Sequence, residues 1–255
     1  MAKDMWCATK GTWQTVYLVR QAINHLPPIL AVQKDALMHV LAIVSQKGGT
    51  GKSTLAFSLG VAAEEQGLRT SIIDIDPQGT TKKWYGRREA ENGPEVNALN
   101  ANQLEAALPL LKKQGVRLVI IDTPGADTPG VTAAIQIADL CLIPARPSVA
   151  DIEASAPTVS AIHRLGKPFF YVLNQCPPGR SIRTTDAFRV LQLTGAVAST
   201  PLALRADHMD ALATGQGVTE RDSTSKAATE IRKLLEWTLN CMEGKPHGQK
   251  QTRVA

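Results

Sequence analysis

The sequence predicts an α/β fold: a doubly wound, mostly parallel sheet with helices on both faces. Three observations predict it. Five short runs are almost wholly apolar, the mark of strands buried on both faces. Helix-length stretches separate those runs, as parallel strands require. A glycine-rich segment, "QKGGTGKST" over residues 46–54, joins the first run to the first helical stretch. In doubly wound sheets, ligands sit beyond the carboxyl ends of the strands, where this segment lies.

The elements follow in order. Residues 1–37 show no alternation and carry Trp6, Trp13 and a Pro27–Pro28 break. They are expected to form a disordered or non-native extension, with Met38 an alternative start. His39–Ser45 reads as the first strand and Lys52–Gln66 as the helix after it. Ser71–Ile75, Arg117–Asp122, Leu140–Ala145 and Phe169–Asn174 read as further buried strands, with Ala196–Leu202 a weaker sixth. Helices are expected over Ala101–Gln114, Val131–Ala138, Asp151–Leu165 and Thr184–Leu193. A last helix, Ser225–Met242, carries an apolar stripe at Ala228, Ile231, Leu234, Leu235, Leu239 and Met242. Such a stripe suits packing on the sheet or lying on a membrane; packing is the expectation, since Glu230 and Glu236 interrupt its basic face. Residues 244–255 are polar and expected to be disordered. One domain, residues 38–243, remains.

Composition bounds the class. The net charge is +5, with the excess in the segments before residue 41 and after residue 176. A mildly basic C-terminal third attracts polyanions. No apolar run reaches the ~18 residues of a membrane span. The four cysteines, Cys7, Cys141, Cys176 and Cys241, form no CxxC pair and suggest no disulfide framework, so a reduced, cytoplasmic protein is expected.

Three motifs carry chemistry. In the first, Gly48, Gly49 and Gly51 lack Cβ atoms, so backbone N–H groups can close around phosphate oxygens. The following helix adds the partial positive charge of its N-terminus. Lys52 reaches the β- and γ-phosphates, Ser53 supplies a hydroxyl for Mg²⁺, and Thr54 adds a phosphate hydrogen bond. In the second, "IIDIDPQG" over residues 72–79, Asp74 and Asp76 alternate at a strand end, which places both on one face. A carboxylate there orients water for in-line attack on a γ-phosphate. In the third, "LVIIDTPG" over residues 118–125, a strand ends on Asp122, the position of a carboxylate in the Mg²⁺ shell. A guanine-specifying Asn-Lys-x-Asp is absent; the corresponding place reads "NQCP" from Asn174, so ATP is favoured over GTP. Asn174 either contacts the base or simply ends its strand.

The first motif lacks the glycine expected at residue 46, and a second lysine, Lys47, stands at its entrance. Lys47-Gly48-Gly49-Thr50-Gly51-Lys52-Ser53-Thr54 resembles the deviant Walker A motif of the ParA/MinD ATPases, "DIDPQG" is similar to the ParA form of the second motif, and "IIDTPG" resembles its Walker B. The resemblance spans residues 38–240 and leans to the small ParA-type partition ATPases. It implies a homodimer formed on ATP and Mg²⁺, in which Lys47 crosses to the partner's ATP. It implies that Asp76 faces the attacking water, with Asp74 and Asp122 near the metal. It also implies non-specific DNA binding by basic residues of the C-terminal third, where Arg183, Arg205, Arg221 and Lys226 are the candidates. A ParB-type adaptor would stimulate hydrolysis, and the protein would be cytoplasmic and nucleoid-associated. A MinD-like membrane positioning ATPase and a metabolic P-loop ligase or kinase are the rival readings.

Overall fold

The computed structural model describes residues 37–244. The extension expected over residues 1–37, apart from the exposed Leu37, lies outside them. So does the tail expected over 244–255, apart from Gly244.

Seven strands form one sheet in which every pairing is parallel. They are β1 His39–Ile43, β2 Thr70–Asp74, β3 Glu95–Ala98, β4 Leu118–Asp122, β5 Leu140–Ala145, β6 Phe169–Leu173 and β7 Ala196–Val197. Their spatial order is β3-β2-β4-β1-β5-β6-β7. From β1 the chain first winds toward β3 and later toward β7, so the order reverses beside β1. The loop after β1 therefore opens at the crevice where such sheets bind ligands.

Alternation along each strand fills two cores. Leu41, Ile43, Ile72, Leu118, Ile120, Leu142, Phe170 and Val172 point to one face. Val40, Ala42, Val44, Ile73, Val119, Ile121, Ile143 and Leu173 point to the other. Helices α1 Lys52–Glu65, α2 Thr80–Tyr85, α8 Ala206–Thr214, α9 Val218–Arg221 and α10 Lys226–Met242 contribute to the first core. Helices α3 Leu104–Lys113, α4 Pro129–Ile137, α6 Ala156–Arg164 and α7 Ile182–Gln192 contribute to the second, with α5 Val149–Glu153 placing Ile152 against it. The stripe of α10 is spent on packing: Ala228, Ile231, Leu234 and Leu235 are buried, and Leu239 and Met242 pack against the first core. Among the described residues no helix is long and apolar enough to cross a membrane.

Several elements depart from the sequence reading. Strand β3, with the sequence EVNA, has no apolar run because it is a half-exposed edge strand. The helix expected over Asp151–Leu165 is two, α5 and α6, with Pro157 in the first turn of the second, where its missing N–H is harmless. Residues Ala101–Gln103 form a 3₁₀ turn before α3 rather than helix proper. The weak sixth strand shrinks to Ala196–Val197, and α2, α8 and α9 stand where no helix was expected.

Helix α2 has only six residues, too few to stand on propensity alone. Trp84 fixes it. Its ring stacks on Phe57 of α1 at 4.8 Å between centroids, and its Nε1–H donates to the Gln216 carbonyl at 3.0 Å. Arg88 lies over the Trp84 ring, 5.4 Å from its centroid, and pairs with Glu220. Trp84→Ala is expected to destabilise the protein by about 3–5 kcal/mol, and Trp84→Phe, which keeps an aromatic ring, by less; urea unfolding at equilibrium checks both.

Candidate nucleotide site

Three loops meet at the carboxyl edge of the sheet, following β1, β4 and β6. The loop after β1 is pressed from two sides. Gly125, three residues past β4, packs so close that a Cβ there would lie 3.0 Å from both the Cα and N of Gly48. From the β6 side, the Asn174 amide donates to the Thr50 carbonyl at 2.7 Å, and the Gln175 amide donates to the Gly49 carbonyl at 2.9 Å. Gly51 is left-handed, φ 92°, and a side chain there would collide with the Asn174 amide. Gln175 itself has φ 53°, unusual for a residue with a side chain, and its N–H is taken by Asn174 Oδ1 at 2.9 Å. Two carbonyls of the loop are thus drawn backward by side-chain donors. The first-turn N–H groups of α1 lack intrahelical acceptors and form an anion-binding end.

Lys52 opens α1, and its Nζ donates to the Lys47 carbonyl at 3.1 Å. Burial lowers its pKa, while Asp122 and Asp76 oppose that shift. Asp122 ends β4 and is fully buried. Its Oδ2 accepts the Thr81 hydroxyl at 2.7 Å, and its Oδ1 has no hydrogen-bond partner. Burial pushes its pKa up to about 7; the Ser53 and Thr81 hydroxyls and the Lys52 ammonium oppose this, and Asp74 adds to it. A buried carboxylate oxygen with no partner, beside a serine hydroxyl, suits a hard cation that takes oxygen ligands. Ser53 and Asp122 are the residues that fit Mg²⁺.

Asp74 and Asp76 of the second motif sit in different surroundings. Asp74, buried at the end of β2, accepts the Asp76 N–H at Oδ1 (3.0 Å) and the Lys82 N–H at Oδ2 (2.9 Å). It therefore caps α2, and both its oxygens are occupied by backbone donors. Burial raises its pKa, and these N–H groups offset part of that. Asp76 lies beyond the strand end, half-buried, with Oδ1 accepting the Gln78 N–H at 2.9 Å. Asn174 likewise faces the loop rather than open space, and Thr50 is buried beneath it.

Lys47 reaches sideways. Its Nζ sits 3.0 Å from Asp151 Oδ2 and its side chain is 30% exposed. Asp151 is also bound by Arg146 Nε at 2.9 Å and by the Ser148 hydroxyl. Burial alone would raise its pKa, but Ser148, Arg146 and Lys47 together hold it below the ordinary carboxylate value. Asp151 and Thr81 had no motif to flag them in the sequence, and Gln175 figured there only as part of "NQCP".

The family model described as the CobQ/CobB/MinD/ParA nucleotide binding domain matches residues 41–234. The chain belongs to this family. Among its relatives, the maintenance of carboxysome distribution protein A of Halothiobacillus neapolitanus is 29% identical over 205 residues, covering 76% of this chain and 94% of that protein. Protein ParA of Rhizobium radiobacter is 32% identical over 127 residues, covering 49% and 56%. Two solved structures share the fold. The ATP complex of a Cyanothece McdA variant has a TM-score of 0.66 at 20% identity, over 83% of this chain and 98% of that one. The Aquifex aeolicus MinC:MinD complex has a TM-score of 0.68 at 16% identity, over 84% and 99%. The family's nucleotide-binding character agrees with the loop geometry at residues 46–54.

The four basic candidates of the C-terminal third are not equivalent. Arg183 on α7 and Lys226 on α10 carry no ion pair among the described residues, and Arg183 is exposed. Arg205 pairs with Glu230 at 2.6 Å, and Arg221 pairs with Asp210 at 3.4 Å. A phosphate contact by Arg205 has to compete with a carboxylate already in place.

The raised pKa of Asp122 fixes a sign. A carboxyl whose folded pKa lies above its unfolded value adds stability below the unfolded pKa, and that contribution is lost as pH rises through the folded one. The window runs from about 4 to about 7. Asp122→Asn, measured without nucleotide or metal, is expected to be more stable than wild type at pH 8 by a few kcal/mol, with the difference shrinking by pH 5. Urea unfolding across pH checks this; a constant difference would contradict it.

Proposed function

We propose that the protein is an ATP-dependent partition ATPase of the ParA type. In this reading two Mg·ATP-bound subunits close on each other, and the dimer binds DNA without sequence preference. Hydrolysis, weak alone and stimulated by a ParB-type adaptor, resets it. The observation that carries the reading is Lys47: a second lysine at the entrance of the loop, with its ammonium paired to Asp151 at 3.0 Å. Residues 38–243 would form the ATPase unit, in the cytoplasm and associated with the nucleoid.

The side chains support a division of labour. Backbone N–H groups of residues 48–54 and the Lys52 ammonium bind and orient the β- and γ-phosphates. Ser53 and Asp122 would hold Mg²⁺, which neutralises phosphate charge and favours departure of ADP. Asp76, oriented by the Gln78 N–H, positions the attacking water. The new bond forms from water oxygen to the γ-phosphorus as the bridging P–O bond to ADP breaks; the products are ADP, orthophosphate and a proton. Lys47 adds charge neutralisation from the neighbouring subunit, much as an arginine finger does. Its release leaves Asp151 supported: the Lys47 side chain is 30% exposed, and the buried Asp151 keeps two other partners. Arg146 and Ser148 stay on Asp151 when Lys47 leaves, so no buried charge is abandoned.

A second reading is favoured by the Halothiobacillus relative, which the chain matches over 94% of that protein's length. There the same nucleotide cycle would distribute carboxysomes, as that relative's name says, rather than a DNA molecule. The membrane rival is disfavoured by α10, whose apolar residues lie in the core.

Lys47→Ala is expected to keep monomeric ATP binding and lose ATP-dependent dimerisation, read by light scattering on a sizing column. A variant that dimerises normally with ATP would sink the trans role. DNA binding is expected only with ATP, with affinity falling steeply as salt rises, by a log–log slope of about −0.9 per contacted phosphate. Arg183→Ala is expected to lower that slope by about one unit. Salt-independent binding, or equal binding without ATP, overturns the DNA half of the proposal and returns weight to the other cargo.

A further inference from the structure

We infer that Thr81 is a positioning residue for the metal-facing carboxylate, holding Asp122 by Oδ2 so that Oδ1 is the oxygen left for Mg²⁺. The motif resemblance places Ser53, Asp74 and Asp122 near the metal and gives Thr81 no role. The geometry points elsewhere for the third group. Asp74 has both oxygens committed to the backbone of the turn and of α2. Thr81 donates a side-chain hydrogen bond to Asp122 across 41 residues of sequence, and both residues are fully buried.

The bond departs from a threonine's usual habit. In a helix the Thr hydroxyl ordinarily turns back to a carbonyl three or four residues earlier. Here it donates forward to another element, and Oγ1 lies 2.7 Å from the carboxylate. A β-branched side chain in a helix has few rotamers, so the direction of the hydroxyl follows the position of α2. Three contacts set that position. Gly79 in a left-handed turn, φ 60°, starts the helix; the Asp74 carboxylate caps it at Lys82; Trp84 bolts it to Phe57 of α1. Since α1 also carries Lys52 and Ser53, Thr81 and the phosphate-binding groups share one rigid support.

Asp122 gains a fixed orientation from this. A carboxylate with no partner on either oxygen would rotate about its last torsion, which is broad. With Oδ2 engaged by Thr81, the unpartnered Oδ1 keeps one direction. Mg²⁺ tolerates little departure from octahedral geometry, so a fixed ligand or water-anchoring oxygen matters more than for a softer site. Outer groups that orient a metal's ligands commonly change metal affinity about 10–100-fold when removed.

This inference rests on the nucleotide-binding reading above, and the test separates the two. Binding of a fluorescent ATP analogue to the full chain is titrated with MgCl₂, and separately measured in EDTA. Thr81→Val is expected to raise the Mg²⁺ concentration for half-maximal enhancement of binding at least about tenfold, while affinity in EDTA stays near that of wild type. Thr81→Ser, which restores the hydroxyl, is expected to recover most of the shift. Thr81→Ala and Thr81→Ser form a second pair, nearly equal in volume and differing by one hydroxyl, which decides the matter where Val does not fold. Equal Mg²⁺ titrations for Ala and Ser, or parallel losses in EDTA and in Mg²⁺, overturn the role and leave Thr81 as packing. If wild type itself binds no nucleotide, the proposed function fails.

Discussion

The backward pull on two carbonyls of the phosphate-binding loop is the constraint on which the site depends. A glycine-rich loop is the most permissive backbone a chain can offer, and permissiveness is of no use to a binding site until something removes it. Here Asn174 and Gln175 remove it by donating to the Thr50 and Gly49 carbonyls, and Gly125 closes the other side at van der Waals contact. These groups come from the ends of two different strands, β6 and β4. The loop after β1 is therefore shaped by the parallel register of β4, β1, β5 and β6, not by its own sequence alone. The left-handed Gln175 is the local strain accepted to bring its amide around.

That constraint organises the electrostatics. Lys52 is buried among Asp122 and Asp76, and Asp74 stands close enough to Asp122 to raise its pKa further. Carboxylates so near one another repel, and the fold answers each differently. Asp74 is neutralised by backbone dipoles, Asp122 by the Thr81 hydroxyl and by a pKa near neutrality, and Asp76 by its place at the rim. Asp151 is the opposite case, a carboxylate with an excess of cations. Two cations thus share one carboxylate beside Lys47, while carboxylates gather around Lys52 and Ser53.

Much of the fold was legible because burial on both faces leaves a plain mark. Runs such as Leu118–Asp122 and Leu140–Ala145 have no polar residue to spare for solvent, and they lie at the centre of the sheet. The edge strand β3 was illegible for the complementary reason: with one neighbour and partial exposure, it needs no apolar run. Helices α2 and α9 have six and four residues, and Trp84 holds α2 to α1, so neither propensity nor periodicity announces them. Pro157 was visible in the sequence; that it begins a helix rather than interrupting one depended on the turn at Ser155.

The site was legible where spacing dictates backbone and illegible where it does not. Lys52 and Ser53 follow a glycine loop into a helix, so their positions are set by the loop's own count of residues. Asp74 and Asn174 were recognisable only as polar residues at strand ends, a place from which a side chain can turn toward a ligand or back toward the chain. Both turn back, because a neighbouring loop offers unsatisfied backbone groups within reach: the Lys82 N–H for Asp74, the Thr50 carbonyl for Asn174. Which groups those are depends on a left-handed glycine at residue 79 and on strand register, neither of which spacing encodes. Thr81 is the converse. It had no mark in the sequence beyond lying after that glycine, yet it holds a hydrogen bond to Asp122 that strand-end logic would have sought from a residue of the motif itself. A motif names the residues whose chemistry is required, and the residues that aim them are found where the fold leaves a donor beside an acceptor with nowhere else to go.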